Sequence, residues 1–431
     1  MKFLKGMLRV NKFKFLKLYF SSIGLKQSLQ NLVGLLRMPF NNEEELRLTF
    51  HSNFSARFNN KPVFSYSSAR ASLCACLQAL GIQKGDEVLI SSFTCLAVPT
   101  AVIAAGASPK YYDIDPDTMN AEKESLNKLI SEKTKAIVIQ HTLGITVSID
   151  AIKDFLPNKN IIIIEDCALS IGSTLDKKLI GTKADAAIFS LELSKTISCG
   201  WGGVLLLNNK QLEIKVRRHY EGVGNIRLLK SLRMAIQTSL SGVLYSPNMY
   251  FLGKYFIALF FKLGFFGAST PNIEERGVVE EDFISKLPKS LIPLAIIQII
   301  RFEEITSIHA EYSLRIRSKL NKLNYHVLGS YSDQDFSVSP RVPFLVKDRI
   351  FFIDFFKDRG IEVGTWFDGP LSPLPKESIF GYDKANYPNS CFIAKHIVNL
   401  PCHAKMRSYH LTLIEDSLVD FALSHPDHSD F

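Results

Sequence analysis

The sequence predicts an α/β fold in which a mostly parallel sheet is layered by helices and followed by a smaller α+β part. Three observations lead there. From Phe64 to Asn209, short apolar runs alternate with helical patterns, as in stacked βα units. Several runs, such as Ile161 to Ile164, are apolar on consecutive positions, so both strand faces must be covered, as in a parallel sheet between helices. A chain of 431 residues with 46% hydrophobic and 22% charged residues has material for a large core domain and a second, smaller one.

Taken in order, Ser68 to Leu80 reads as a helix, with Leu73, Leu77 and Leu80 at helical spacing and Gly81 as its C-terminal cap. Strands are expected at Glu87–Ser91, Lys110–Ile114, Ala136–Gln140, Ile161–Ile164, Ala186–Phe189 and Val204–Leu207. Between them, Glu122–Ile130 and Ser148–Leu156 show the 3.6-residue period through Leu126, Leu129 and Ile130, and through Ile149, Ile152 and Leu156. Lys210 to Ser269 is mostly helical in pattern and rich in aromatics, and Ile292 to Lys322 reads as one or two long helices. Beyond these, Arg341–Val346 and Ile361–Val363 read as strands, and Ile350–Lys357 and Leu411–Leu423 as helices. The expected division is a basic amphipathic arm over 1–45, a large domain over 46–300 with an aromatic helical insert near 240–270, and a small C-terminal domain over 301–431.

The net charge of +9 is not spread over the chain. Residues 1–40 carry Lys2, Lys5, Arg9, Lys12, Lys14, Lys17, Lys26 and Arg37 and no acid, which leaves the rest at +1. A body this close to neutral has no field for capturing nucleic acid, and none is expected as a partner. Lys2, Lys5, Arg9 and Lys12 fall on one side of a helical projection, largely opposite Phe3, Leu4, Met7, Leu8 and Phe15. Two readings stand for that arm: a helix on an anionic membrane surface, or an ordinary docked terminus. Tyr245 to Phe266 carries the same ambiguity, as a dimer interface, a core element or the edge of a bilayer. The seven cysteines are odd in number and never spaced C-x-x-C, so a reducing, cytoplasmic setting and no metal site are expected. No stretch reaches the ~18 apolar residues of a membrane span.

The chemistry gathers at strand ends, where open α/β sheets bind ligands. Ile161–Ile164 runs into Glu165-Asp166, and Asp166 can be catalytic, a metal ligand or a helix cap. Phe189-Ser190-Leu-Glu-Leu-Ser-Lys195 follows another strand and leads into Gly200-Trp-Gly-Gly203. A lone lysine there is ordinarily solvated, but the glycines let the backbone turn closely around a bulky ligand and Ser190 offers a hydroxyl to a phosphate. Ser67-Ser68-Ala69-Arg70 opens a helix, whose free N–H groups attract phosphate.

In their order and register, the blocks SSARASLCACLQALGIQKGDEVLISSFTCLAVPTAVIAAGASPKYYDIDPDT, KTKAIVIQHTLG, IIIIEDCALSIGS and ADAAIFSLELSKTISCGWGGVLLL resemble the DegT/StrS-like family of fold-type-I enzymes, which use pyridoxal 5'-phosphate (PLP) to aminate nucleotide-linked keto sugars. Fainter likeness continues in Gly360 to Trp366 and Asn399 to His403. The resemblance implies that Lys195 is the Schiff-base lysine and proton shuttle, that Asp166 keeps the pyridine nitrogen protonated, and that Ser190 with the backbone of Ala69 and Arg70 cradles the phosphate. Cys95 stands where many members stack an aromatic ring on the cofactor, and Leu169 where many have Gln or His beside its phenolic oxygen. His141 fits a family block as either a cofactor contact or a hydrogen-bonded structural histidine, and Trp366 and His403 lie in blocks that approach substrate or only pack. The implied protein is a homodimeric aminotransferase taking its amino group from glutamate, serving glycan or cell-surface polysaccharide assembly, cytoplasmic or peripheral at the inner membrane face. A PLP relative acting on another carbonyl substrate and a catalytically silent scaffold at the membrane are the alternatives.

Overall fold

The computed structural model describes residues 15–156, 160–246, 249–268, 271–329, 335–373 and 378–429. The basic positions Lys2, Lys5, Arg9 and Lys12 of the expected arm lie outside the described residues. Among those described, seven strands form the central sheet: β1 (Val63–Tyr66), β2 (Glu87–Ser91), β3 (Ser108–Tyr112), β4 (Thr134–Gln140), β5 (Ile162–Asp166), β6 (Ala186–Ser190) and β7 (Gly203–Leu207). Their spatial order is β1-β7-β6-β5-β4-β2-β3, and β7 alone runs against its neighbours.

The consecutive apolar residues act as the sequence requires. Ile164 and Val138 enter a core with the helix Ala69–Leu80, whereas their neighbours Ile163, Ile137 and Ile139 enter a second core with the helix Ile149–Phe155. Alternate side chains of a strand point to opposite faces, so a run of isoleucines serves both layers at once. Ser68 caps the helix Ala69–Leu80 by accepting from the Ala71 amide, and Gly81 closes it at φ +85°. The strand expected at Lys110–Ile114 lies two residues earlier. It ends before Asp113, whose carboxylate takes hydrogen bonds from the Ser390 amide and hydroxyl.

Of the one or two long helices expected over Ile292 to Lys322 there are two, Ile292–Ile300 and Phe302–Lys322, meeting at Arg301. Past it, β8 (His326–Val327), β9 (Arg341–Leu345) and β10 (Ile397–Pro401) form an antiparallel sheet, order β8-β9-β10, packed against the helices Arg349–Asp358 and Ser408–Ser424. The expected strand Ile361–Val363 is not one. Its backbone is taken by a single crossing segment, with the Leu16 amide donating to Gly360 O at 2.7 Å and the Glu362 amide to Leu16 O at 2.9 Å.

Between Lys210 and Lys262 the expected helical stretch resolves into Lys210–Glu221, Leu228–Leu244 and Tyr250–Lys262. A further helix, Leu25–Arg37, packs on Leu228–Leu244 with its polarity inverted. It buries Ser28 and Asn31, the Asn31 amide donating to Ser239 Oγ at 2.9 Å, while Leu25, Leu29 and Leu36 face outward. No helix among the described residues is long and apolar enough to cross a membrane.

Candidate active site

Strand register brings the singled-out residues to one edge of the sheet. Asp166 ends β5, opposite Gln140 of β4 and Ile188 of β6. Two residues further along β6, Ser190 faces Gly203 of β7, which in turn faces Tyr66 of β1. His141 follows β4, Cys95 lies just beyond β2, Leu169 just beyond β5, Ala69 and Arg70 just beyond β1, and Lys195 in the loop after β6.

Within that edge, Asp166 and Lys195 act on each other. Asp166 is buried and its Oδ1 accepts from the Ala168 amide at 3.0 Å. Burial pushes its carboxyl above the ordinary value, against that hydrogen bond and the nearby Lys195 amine. The Lys195 amine is pulled below its ordinary value by burial and by Arg341, with Glu192, Cys95 and Asp166 opposing. It sits 4.8 Å from the Trp366 ring centroid. The Cys95 thiol is raised by burial, with the Ala97 amide, Lys195 and Arg70 drawing it down. Leu169 and Cys95 join Phe93, Trp366 and Phe367 in one apolar cluster, so the wall beside the lysine is greasy on that side.

The second part of the site is the rim where β1 turns into its helix. The first amides of any helix have no intrahelical partner, and those of Ala69 and Arg70 lie here. Gly203 lets β7 run directly under them, because a Cβ added there would stand 2.3 Å from the Ala69 nitrogen and the Ser68 carbonyl. Gly203→Ala therefore forces backbone apart rather than a side chain, and is expected to cost on the order of 3 kcal/mol or more in urea unfolding. A cavity of about 990 Å³ opens beside the rim, lined in part by Ser67, Ser68, Arg70, Trp201 and Glu274.

Arg70 pairs with Glu274, Nε to Oε1 at 3.1 Å. Burial raises the Glu274 carboxyl to about 7, with Arg70 opposing and Glu280 adding. A carboxyl whose folded value lies above its unfolded one binds its proton more tightly when folded, so the stability it contributes is present below the unfolded value of 4.5 and lost as pH rises through about 7. Glu274→Gln removes that slope. The stability of the variant relative to the parent is expected to improve by on the order of 3 kcal/mol between pH 4.5 and pH 8, read from urea midpoints at both ends.

His141 is held on both sides. The Val147 amide donates to its Nδ1 at 3.1 Å, which leaves the proton on Nε2 to be donated to Glu165 Oε2 at 3.0 Å. Glu165 also accepts from the Gly181, Lys183 and Ala184 amides, and its carboxyl lies below the ordinary value because the hydrogen bond from His141, with those from the Ala184 and Gly181 amides, outweighs burial. This favours the hydrogen-bonded structural reading of His141. Cys167 lies beside the pair, close enough for the three to ligate a metal, but the carboxylate oxygens and ring nitrogens are already engaged by protein. His403 is buried against Phe20 and donates to Lys17 O at 3.2 Å, whereas Trp366 reaches the Lys195 amine. Arg341 and Glu192, which shape the charge around Lys195, were not singled out by the sequence. A charged residue opening the otherwise apolar strand at 341 was the available signal.

Residues 26–234 match the model of the DegT/DnrJ/EryC1/StrS aminotransferase family. The matched stretch is just under half of the chain. The match takes in every sheet-edge residue described above from Ala69 to Lys195. Among curated relatives, the spore coat polysaccharide biosynthesis protein SpsC of Bacillus subtilis is 30% identical over 192 residues, 44% of this chain and 49% of the relative. The GDP-perosamine synthase of Vibrio cholerae is 31% identical over 160 residues, 37% of this chain and 44% of the relative. The chain thus spans about half the length of the curated relatives it matches. In fold the likeness runs further: the PLP-form of the sugar aminotransferase Spr1654 from Streptococcus pneumoniae superposes with a TM-score of 0.71 over 95% of this chain and 99% of that one, at 18% identity. The likeness in fold therefore extends through the small C-terminal sheet, beyond the residues that the family model matches.

Proposed function

We propose that the chain is a PLP-dependent aminotransferase that moves an amino group, from glutamate, onto the ketone of a nucleotide-linked sugar in polysaccharide or glycan assembly. The observation that carries this reading is a buried amine and a buried carboxylate, Lys195 and Asp166, influencing each other at the carboxyl edge of a family-type sheet. The residues fit the cofactor. The missing side chain at 203 lets the start of the helix Ala69–Leu80 seat directly on β7, and the first amides of that helix, which have no intrahelical partner, suit a phosphate.

When bound, PLP supplies an electron sink for carbanion charge at the reacting carbon. Asp166 would hold the proton on the ring nitrogen, since its buried carboxylate offers the opposing charge. Lys195, kept toward its neutral form by desolvation, would attach the cofactor through Nζ and, once released, carry a proton between adjacent carbons at that same nitrogen. Ser190 and the amides of Ala69 and Arg70 would bind the phosphate, and Cys95 and Leu169 would exclude water from the ring. Incubating the PLP-loaded protein with nucleotide keto sugars and ¹⁵N-glutamate tests the reading. Label is expected in a sugar, and its absence from all of them would count against transamination.

The same reading includes a homodimer and peripheral contact with an anionic membrane. Support for the latter comes from the helix Tyr250–Lys262, which leaves Leu252, Tyr255, Phe256 and Leu259 exposed along one side, with Lys254 and Lys262 on the same element. Flotation with phosphatidylglycerol vesicles is expected to recover the parent and lose a Leu252→Asp/Phe256→Asp variant. If the variant floats equally and is instead monomeric in light scattering, the stripe is a subunit contact and the membrane reading fails.

A further inference from the structure

Arg341 opens β9 with its side chain buried, 4% exposed, against two rings. Its guanidinium carbon is 4.0 Å from the Trp366 centroid and 5.7 Å from that of Tyr19. Among the described residues no carboxylate pairs with it, and its buried Nε has no hydrogen-bond partner. Both nearby acids are committed elsewhere. Glu192 accepts from the Ser194 amide at 2.8 Å and hydroxyl at 2.5 Å, and Glu362 accepts from Lys17 at 2.7 Å and the Leu18 amide at 2.9 Å. Burial draws the guanidinium down to about 10, with Tyr19, Glu192 and Glu362 opposing, so it remains a cation at neutral pH. A desolvated cation without a counter-ion is costly to fold; the two rings offset part of that cost, and an anion would offset more.

The same indole that lies under Arg341 has the Lys195 amine 4.8 Å from its centroid. The amine and the guanidinium are therefore no further apart than those two ring distances laid end to end. That is the scale on which an amino acid separates its amino group from a carboxylate held by an arginine fork.

We infer that Arg341 is the substrate-binding residue that takes a carboxylate of the amino donor, holding it beside Lys195. The inference deepens the transamination reading and rests on it. The ligand chemistry is an oxyanion, and a nucleotide phosphate is the other source that shares it. A carboxylate is favoured because its two coplanar oxygens match the fork within an amino acid's length of the amine.

The chain has two tryptophans, so Trp201→Phe leaves Trp366 as the sole fluorescent indole under Arg341. Titrating that full-length protein with glutarate is expected to change its emission saturably, and adding Arg341→Gln to weaken glutarate binding by about thirtyfold or more. In single-turnover kinetics of the PLP-loaded protein, the apparent dissociation constant for glutamate is expected to rise by a similar factor. The half-reaction with the keto sugar is expected to lose less than the half-reaction with glutamate, because only glutamate brings the carboxylate. Should Arg341→Gln not fold, Arg341→Lys keeps the charge but loses the fork, and an intermediate loss of about tenfold is expected. Unchanged glutarate binding in either folded variant overturns the assignment. So does an emission change answered by inorganic phosphate or guanosine diphosphate and not by glutarate. The visible absorption of added PLP is read separately: a protein that binds glutarate through Arg341 but never takes up PLP sinks the transamination reading and leaves the anion site standing.

Discussion

Lys195→Ala is expected to abolish the visible absorption band of the PLP-loaded protein and to lower turnover by about a thousandfold or more. Two effects combine in that variant. The covalent hold on the cofactor is lost, and so is the only amine beside Asp166 among the described residues that can pass a proton between neighbouring carbons. Lys195→Arg separates charge from basicity. It keeps a cation beside Trp366 but cannot shed its proton, and is expected to be as inactive as alanine. Because burial lowers the lysine, the uncharged amine that the chemistry requires becomes available below pH 10.5, and the acid limb of turnover is expected to rise through that lowered value. A Lys195→Ala protein that retained the band would refute the assignment outright.

Asp166→Asn is expected to cost about a hundredfold in turnover or more, on the order of 3 kcal/mol, with little loss of fold stability. The two parts of that expectation come from different atoms. The side-chain carbonyl of asparagine can still accept from the Ala168 amide, so the turn after β5 survives. The negative charge does not survive, and a protonated ring nitrogen is left without its counter-ion in a dry setting. Stopped-flow rates for the two half-reactions should fall together, since both pass carbanion charge into the same ring. Thermal unfolding should hardly move. A large drop in Tm with unchanged half-reaction rates would instead make Asp166 a turn cap and nothing more.

How far the sequence could be read depends on whether local pattern or distant packing decides each element. The isoleucines of β5 announce a strand covered on both faces because neither face can be left in water, and the helix before Gly81 ends there because that residue alone in its neighbourhood accepts φ +85° cheaply. Motif order singles out Lys195 and Asp166, and strand register carries both to the same end of the sheet. The helix Leu25–Arg37 reverses the usual reading, since its leucines face out while Ser28 and Asn31 are satisfied inside by another helix, and periodicity would have turned it the wrong way. β10 ends in Pro401, which an edge strand tolerates, and its short polar-interrupted sequence gave no strand signal. Ile361–Val363 has strand-like residues, but whether it joins a sheet depends on a segment over 300 positions away, with bonds such as Lys17 to Glu362 across 345 residues. Arg341 was hidden for the same reason, because a charge at a strand start becomes informative only when the groups packed around it are known.

The segment around Leu16 to Ile23 is stitched to residues far along the chain: His403 Nε2 donates to Lys17 O across 386 residues, and the Lys405 amine to Ile23 O across 382. Closing loops of that size is slow, although each doubling of length adds only ~0.6 kcal/mol. During synthesis on the ribosome, Leu16, whose cluster reaches Phe421, and Phe20, which packs on His403, wait incompletely buried until those partners have left the exit tunnel. These few side chains are therefore where a chaperone has longest to bind the growing polypeptide, and where a nascent chain stalled before Lys405 stays adhesive.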